Sequence, residues 1–124
     1  MRFLSMVRIS QNDAPQPSQR LMDEMGKLVE EMTKSGALVS TAGLTNSREG
    51  KRVRWNRGAL SITDGPFAES KEVVGGYAIL EAPSMKDAIE LTKRFLAVHG
   101  DEWNVECEVR PLGSPEMGAA HQGR

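Results

Sequence analysis

Residues 73–98 read VVGGYAILEAPSMKDAIELTKRFLAV, a strand and a helix joined by a helix-start signal. Gly75 to Ala82 is an apolar run of strand length, and its paired glycines mark a bulge or a close backbone approach. Ser84 with Asp87 three residues on approximates a capping box. Ala88, Leu91, Phe95 and Val98 then recur at helical spacing until Gly100. Downstream, Val105, Cys107 and Val109 alternate with Glu106, Glu108 and Arg110, the pattern of a half-buried strand. Strand, capped helix and strand make one βαβ unit.

The first half of the chain repeats the scheme. Phe3, Val7 and Ile9 alternate with Leu4, Met6 and Arg8, so both faces carry apolar side chains and a central strand is expected. The run QNDAPQPSQ is a loop, and Pro17 and Ser18 open a helix whose stripe is Leu21, Met25, Leu28 and Met32. Methionines on such a stripe read as gap-filling core residues, and Gly36 closes the helix. Ala37 to Leu44 is a second strand. After the loop TNSREGK, Val53 and Trp55 alternate with Arg52 and Arg54. Asn56, Arg57 and Gly58 supply a turn, and Ala59 to Thr63 returns as the second arm of a hairpin.

The order strand, helix, strand, hairpin, strand, helix, strand predicts an α+β, ferredoxin-like sandwich with an inserted β-hairpin, both helices covering one face of a mainly antiparallel sheet. The helix-free face is expected to mix Arg8, Arg52, Arg54, Glu106, Glu108 and Arg110 with apolar Leu4, Met6 and Tyr77. Such a face meets either solvent or a second copy. One domain is expected over residues 1–112. Residues 113–124 hold too few large apolar groups to order themselves and are read as a flexible tail.

A length of 124 residues allows one hydrophobic core. Sixteen lysines and arginines against seventeen acids leave a net charge of -1, which supplies no global attraction to nucleic acid or anionic lipid. The segment SREGKRVRWNR offers five basic residues and Trp55, but a hairpin with a charged outer face explains it as well as a phosphate-binding surface does, and nucleic acid is not expected as a partner. A single cysteine, Cys107, excludes an internal disulfide. With no signal-peptide or membrane-span pattern at the N-terminus, this points to the cytoplasm. No Walker loop, dinucleotide fingerprint, nucleophile elbow or metal-ligand spacing occurs, and no cofactor is specified. His99 closes the second helix, where an imidazolium would complement the helix dipole.

Between the hairpin and the Gly-Gly strand lies DGPFAESKE, residues 64–72. Asp64 can fold its carboxylate onto a nearby backbone N–H, Gly65 supplies freedom, and Pro66 removes a donor, so the turn redirects the chain over the sheet edge. Phe67 is expected to anchor the loop in the core. Asp64, Glu69 and Glu72 supply three carboxylates that could serve as acid, base or metal ligands, but with Lys71 beside them and no histidine in the motif a solvated or ion-paired loop is favoured over direct catalysis.

The string DGPFAESKE, its place before VVGGYAILEAPSMKDAIELTKRF and the later ECEVRPL resemble the DGPF branch of the YCII-related proteins over Met1 to about Leu112. The resemblance implies a dimeric α/β barrel, in which two ferredoxin-like sheets enclose a pocket. It also implies a cytoplasmic bacterial protein, encoded in many cases near extracytoplasmic-function sigma factors. It carries no established reaction. Members of the wider group show a histidine and an aspartate as an active-site pair; this chain has Asp64 but no histidine on its first strand or helix.

The expectation is therefore a homodimer that binds a small molecule, or turns it over in an unassigned reaction, in a polar pocket beside the DGPF turn. Asp64 is the candidate proton-handling group. Arg54, Gly65, Pro66, Phe67, Glu69, Lys71 and Glu72 border the pocket, with Arg54 or Lys71 available to stabilise an anion. The alternative is a regulatory module associated with a sigma factor.

Overall fold

Strand β1 (Arg2–Ser10) runs antiparallel to both of its neighbours, β5 (Glu72–Glu81) and β6 (Glu106–Pro111), and β2 (Leu38–Gly43) pairs on the far edge of β5. The order β2-β5-β1-β6, with helix α1 (Gln19–Ser35) after β1 and α2 (Met85–Val98) after β5, is the ferredoxin-like arrangement expected from the sequence. The computed structural model describes residues 1–10, 16–66 and 72–113. Among these, no helix is long and apolar enough to cross a membrane.

Local chemistry sets the element ends. The Ser18 hydroxyl accepts from the Leu21 N–H at 3.0 Å, and Gly36 closes α1 at a φ of 84°. Ser84 accepts from the Asp87 N–H and donates to the Asp87 carboxylate at 2.8 Å, a shortened capping box. Strand β5 begins three residues ahead of the glycine pair. Val7 pairs with Gly76 and Arg8 with Val74, so Gly75 is the extra residue of a bulge and pairing resumes beyond it.

Alternation along β1 divides the sheet. Phe3 (1 % exposed) and Ser5 lie under the helices, and Phe3 packs with Leu28, Met32, Leu38, Leu80, Ala82 and Ala88 to form the core. Leu4, Met6 and Arg8 face the other way, opposite Ile79, Tyr77 and Val74 on one side and Arg110, Glu108 and Glu106 on the other. The expected helix-free face is thus present, with one correction. Arg52 and Arg54 are not on it, because β3 (Lys51–Asn56) and β4 (Ala59–Asp64) form a separate two-stranded sheet. The β3–β4 turn has Arg57 at φ 52° and Gly58 at φ 84°, the two positive angles of a type I′ turn.

Because Phe3 is the largest fully buried side chain at the centre of the core, Phe3→Ala is expected to lower the unfolding free energy by about 3–5 kcal/mol, read as an earlier midpoint in urea at unchanged slope.

Candidate functional site

The sheet floor beneath the helices is built unevenly. At one end Phe3, Leu38, Leu80 and Ala82 fill the layer, whereas at the other the inward positions are Ser5, Val7, Gly76 and Ala78. These short side chains leave a cavity of about 330 Å³ under α1 and α2. Its walls are apolar: Met25, Leu28, Val29 and Met32 from α1, Leu91 and Phe95 from α2. Native cores leave few voids larger than a water molecule, so a space of this size has the dimensions of a ligand site.

His99 and Trp103 stand among the lining residues at the end of α2. His99 is buried, edge-on to Phe95 with ring centroids 5.0 Å apart and tilted against Trp103 at 5.9 Å. Its Nδ1 lies 3.2 Å from the Phe95 carbonyl and 3.3 Å from that of Leu96. A carbonyl only accepts, so the Nδ1 facing these two carries a proton and donates. The C-terminal placement expected for His99 is thus occupied, and the same ring also borders the cavity. Two threonine hydroxyls of lining residues have internal partners: Thr92 donates to the Ala88 carbonyl at 2.9 Å and Thr41 to that of Tyr77 at 2.8 Å.

The loop carrying Trp103 is tied to the start of α1. Arg20 donates to the Val98 carbonyl at 3.1 Å, capping α2, and its guanidinium also pairs with Glu102. Hydrogen bonds from Ser18 and then Arg20 hold the Glu102 carboxyl below its ordinary range. On β6, paired with Val7 on the helix side of the sheet, burial pushes the Cys107 thiol up, with a hydrogen bond from Ser5 opposing and Glu106 adding to the rise. A neutral, half-buried thiol is a poor nucleophile.

The DGPF residues lie elsewhere. Asp64 ends β4, exposed, with its carboxylate paired to Lys51 across the base of the hairpin. Gly65 donates to the Gly50 carbonyl at 3.0 Å, and a Cβ built on it would sit 1.8 Å from the Ser47 carbonyl oxygen, so the backbone approach itself requires glycine. The Gly65–Pro66 peptide is cis, and Pro66 is exposed. Arg54 is exposed opposite Ser61. Strand alternation turns it to the hairpin face away from Asp64, so the two are not brought together. Phe67, Glu69 and Lys71 fall outside the described residues, as does the Glu72 side chain; the Glu72 backbone opens β5 opposite Ser10. None of Arg54, Asp64, Gly65 or Pro66 lines the cavity. Among the described residues, no group of three or more histidine, cysteine or acidic side chains is placed to hold a metal.

Two signals for the cavity exist in the sequence, the methionines of α1 and the small residues of β5, but neither declares an empty space. Methionine fills cores as readily as it lines pockets, and the void depends on strands far apart in the chain.

A family model described as the YCII-related domain matches residues 1–105. An uncharacterised protein of Rhizobium meliloti (strain 1021) is 26% identical over 94 residues, spanning 76% of this chain and 74% of that protein. Among solved structures, 5-chloro-2-hydroxyhydroquinone dehydrochlorinase (TftG) from Burkholderia phenoliruptrix AC1100, in complex with 2,5-dihydroxybenzoquinone, aligns at a TM-score of 0.49 with 13% identity, covering 94% of this chain and 98% of that one. The periplasmic divalent cation tolerance protein CutA from Archaeoglobus fulgidus aligns at 0.40 with 12% identity over 94% and 91%.

Two outcomes follow from this geometry. Gly65→Ala is expected to destabilise the protein, seen as a lowered Tm, because the opposing atom is backbone and cannot step aside as a side chain would. Arg20→Met is expected to lower Tm most at neutral pH. Glu102 titrates below its ordinary range in the folded chain, so its contribution is present above the unfolded carboxylate pKa and fades as pH falls through the folded one. The gap between wild type and variant should therefore narrow below about pH 4, as thermal melts across pH will record.

Proposed function

The chain belongs to the YCII-related family, and from that premise we propose that it is a small-molecule-binding protein whose ligand is a compact, largely apolar molecule held between the helices and the sheet. The observation that carries this reading is the cavity of about 330 Å³, walled by aliphatic and aromatic side chains with the His99 ring at one end. That volume is at the lower bound of ligand pockets, which suits one or two fused rings better than a nucleotide or a peptide. Apolar cavities bind apolar molecules because no protein–water hydrogen bonds have to be given up. The His99 Nε2 supplies one acceptor for a ligand hydroxyl, enough to orient a phenol-like group against an apolar wall.

On this reading the DGPF turn serves the scaffold: Lys51 engages Asp64, and Gly65 seats the chain on the Ser47 carbonyl. The proton-handling role expected for Asp64 is then not required for binding. With Cys107 as the single cysteine of this sequence no internal disulfide can form, which supports a cytoplasmic setting.

The experiment is a titration with 1-naphthol followed by its own fluorescence, on wild type, Val29→Phe and Asp64→Asn. Val29 lines the cavity and packs against the core, so the larger ring is expected to fill the space, raise Tm and weaken naphthol binding by about tenfold or more. Asp64→Asn is expected to bind as wild type does. Unchanged affinity in Val29→Phe would move the site out of the cavity, and lost affinity in Asp64→Asn would return it to the DGPF turn.

A further inference from the structure

The cavity between helices and sheet is open on one side, and the opening lies where β2 finishes. Thr41 and Gly43 pair with Ala78 and Gly76 of the floor, so they face the helix layer. Thr41, Ala42 and Gly43 all line the cavity, yet all three are exposed. Met25 and Val29, on the helix that packs along β2, are only half-buried. Helix α1 therefore leaves the end of the strand uncovered, and an apolar molecule seated there would keep one side in water.

The chain that leaves this opening leads directly into an uncovered apolar face. Leu44 is still tied to the sheet, its N–H donating to the Gly75 carbonyl at 2.8 Å. Asn46 already belongs to the 3₁₀ turn at Ser47–Glu49, its side chain accepting from the Arg48 N–H at 2.9 Å. On the β2 side, Thr45 alone separates the cavity's strand from the unit that the Lys51–Asp64 pair and the Gly65–Gly50 hydrogen bond join to the hairpin. Strand pairing sets Val53 opposite Ile62 and Trp55 opposite Leu60 on one hairpin face, with exposures of 64%, 60%, 71% and 60%. Together they present on the order of 500 Å² of apolar surface, the size at which a patch marks a contact site. Arg52 and Arg54 lie on the other face, so a hairpin laid apolar side down keeps these cations in water.

Resting on the reading of the cavity as a ligand site, we propose that the β3–β4 hairpin is the remaining wall of that site. It folds over the end of β2 in its own chain and sets Trp55 and Leu60 against the bound apolar molecule. The mouth is apolar and uncovered, the hairpin is apolar and unsupported, and on one side a single residue joins them. Each six-residue strand spans roughly 20 Å, long enough to reach from β2 across the mouth to the helix beside it. A two-stranded sheet with neither face packed is marginal in water, and closure supplies the packing. A lid of this kind shuts water out and slows release of what it covers.

Stopped-flow release of 1-naphthol tests the wall on wild type, Trp55→Ser and Val29→Phe. Trp55 is exposed in the free chain, so Trp55→Ser should keep the wild-type Tm while releasing naphthol about tenfold faster or more, since losing an aromatic anchor acts mostly on dissociation. Amide hydrogen exchange across β3 and β4 is expected to slow when naphthol saturates the wild type, and to stay fast in Val29→Phe, whose cavity is filled. Adding excess Val29→Phe copies to loaded Trp55→Ser should leave release fast, because each hairpin serves its own chain. Slowed release in that mixture would assign the hairpin to a neighbouring copy's cavity and overturn the proposal. Wild-type release from Trp55→Ser, with hairpin exchange unmoved by naphthol and affinity still weakened in Val29→Phe, would overturn the wall and leave the cavity site standing. Unchanged affinity in Val29→Phe would overturn both.

Discussion

The double pairing of β1 is the constraint on which the rest of this structure hangs. With β5 on one edge and β6 on the other, both antiparallel, the strand has one allowed register on each side, and a slip by one residue would send Phe3 to the wrong face. Because β5 slots between β1 and β2, the helices that follow β1 and β5 come back over the same side of the sheet. One face is then committed to a core around Phe3. The other is left to whatever the environment provides.

The cavity is a consequence of that commitment and of composition along β1 and β5. Helices α1 and α2 are held together where large side chains interlock, and Arg94 pairs with Glu31 across them. Further along, the sheet offers Ser5, Gly76 and Ala78, which cannot reach the helices, while Arg20 and Glu102 hold the far end in place. A gap between two rigid layers cannot collapse by small adjustments, so it persists as a space with aliphatic walls.

The DGPF turn and the hairpin are one device. Lys51 with Asp64 pins the base, the Gly65 backbone packs against the 3₁₀ turn at Ser47–Glu49, and the type I′ turn at Arg57 and Gly58 sets the register that lines up Val53, Trp55, Leu60 and Ile62. The motif's invitation to acid–base chemistry is answered at Asp64 by a local cation rather than by a pocket wall. The residues from Phe67 to Lys71, which connect this device to β5, lie outside the description.

What the sequence determined by itself was whatever can be read within a few residues: alternation in β1, β5 and β6, the Ser18 and Ser84 caps, the Gly36 stop, the hairpin turn at Asn56 to Gly58, and from their order the ferredoxin-like sandwich. Each of these is a short-range preference of backbone torsion or side-chain period, legible without knowing its surroundings. Tertiary structure alone decided the candidate site. Arg20 meets Glu102 across 82 positions, His99 meets the cavity only because α2 packs over β1 and β6 beside α1, and Arg54 parts from Asp64 because the hairpin's register sets them on opposite faces. An empty volume is a property of several layers at once, and no single stretch of chain encodes it.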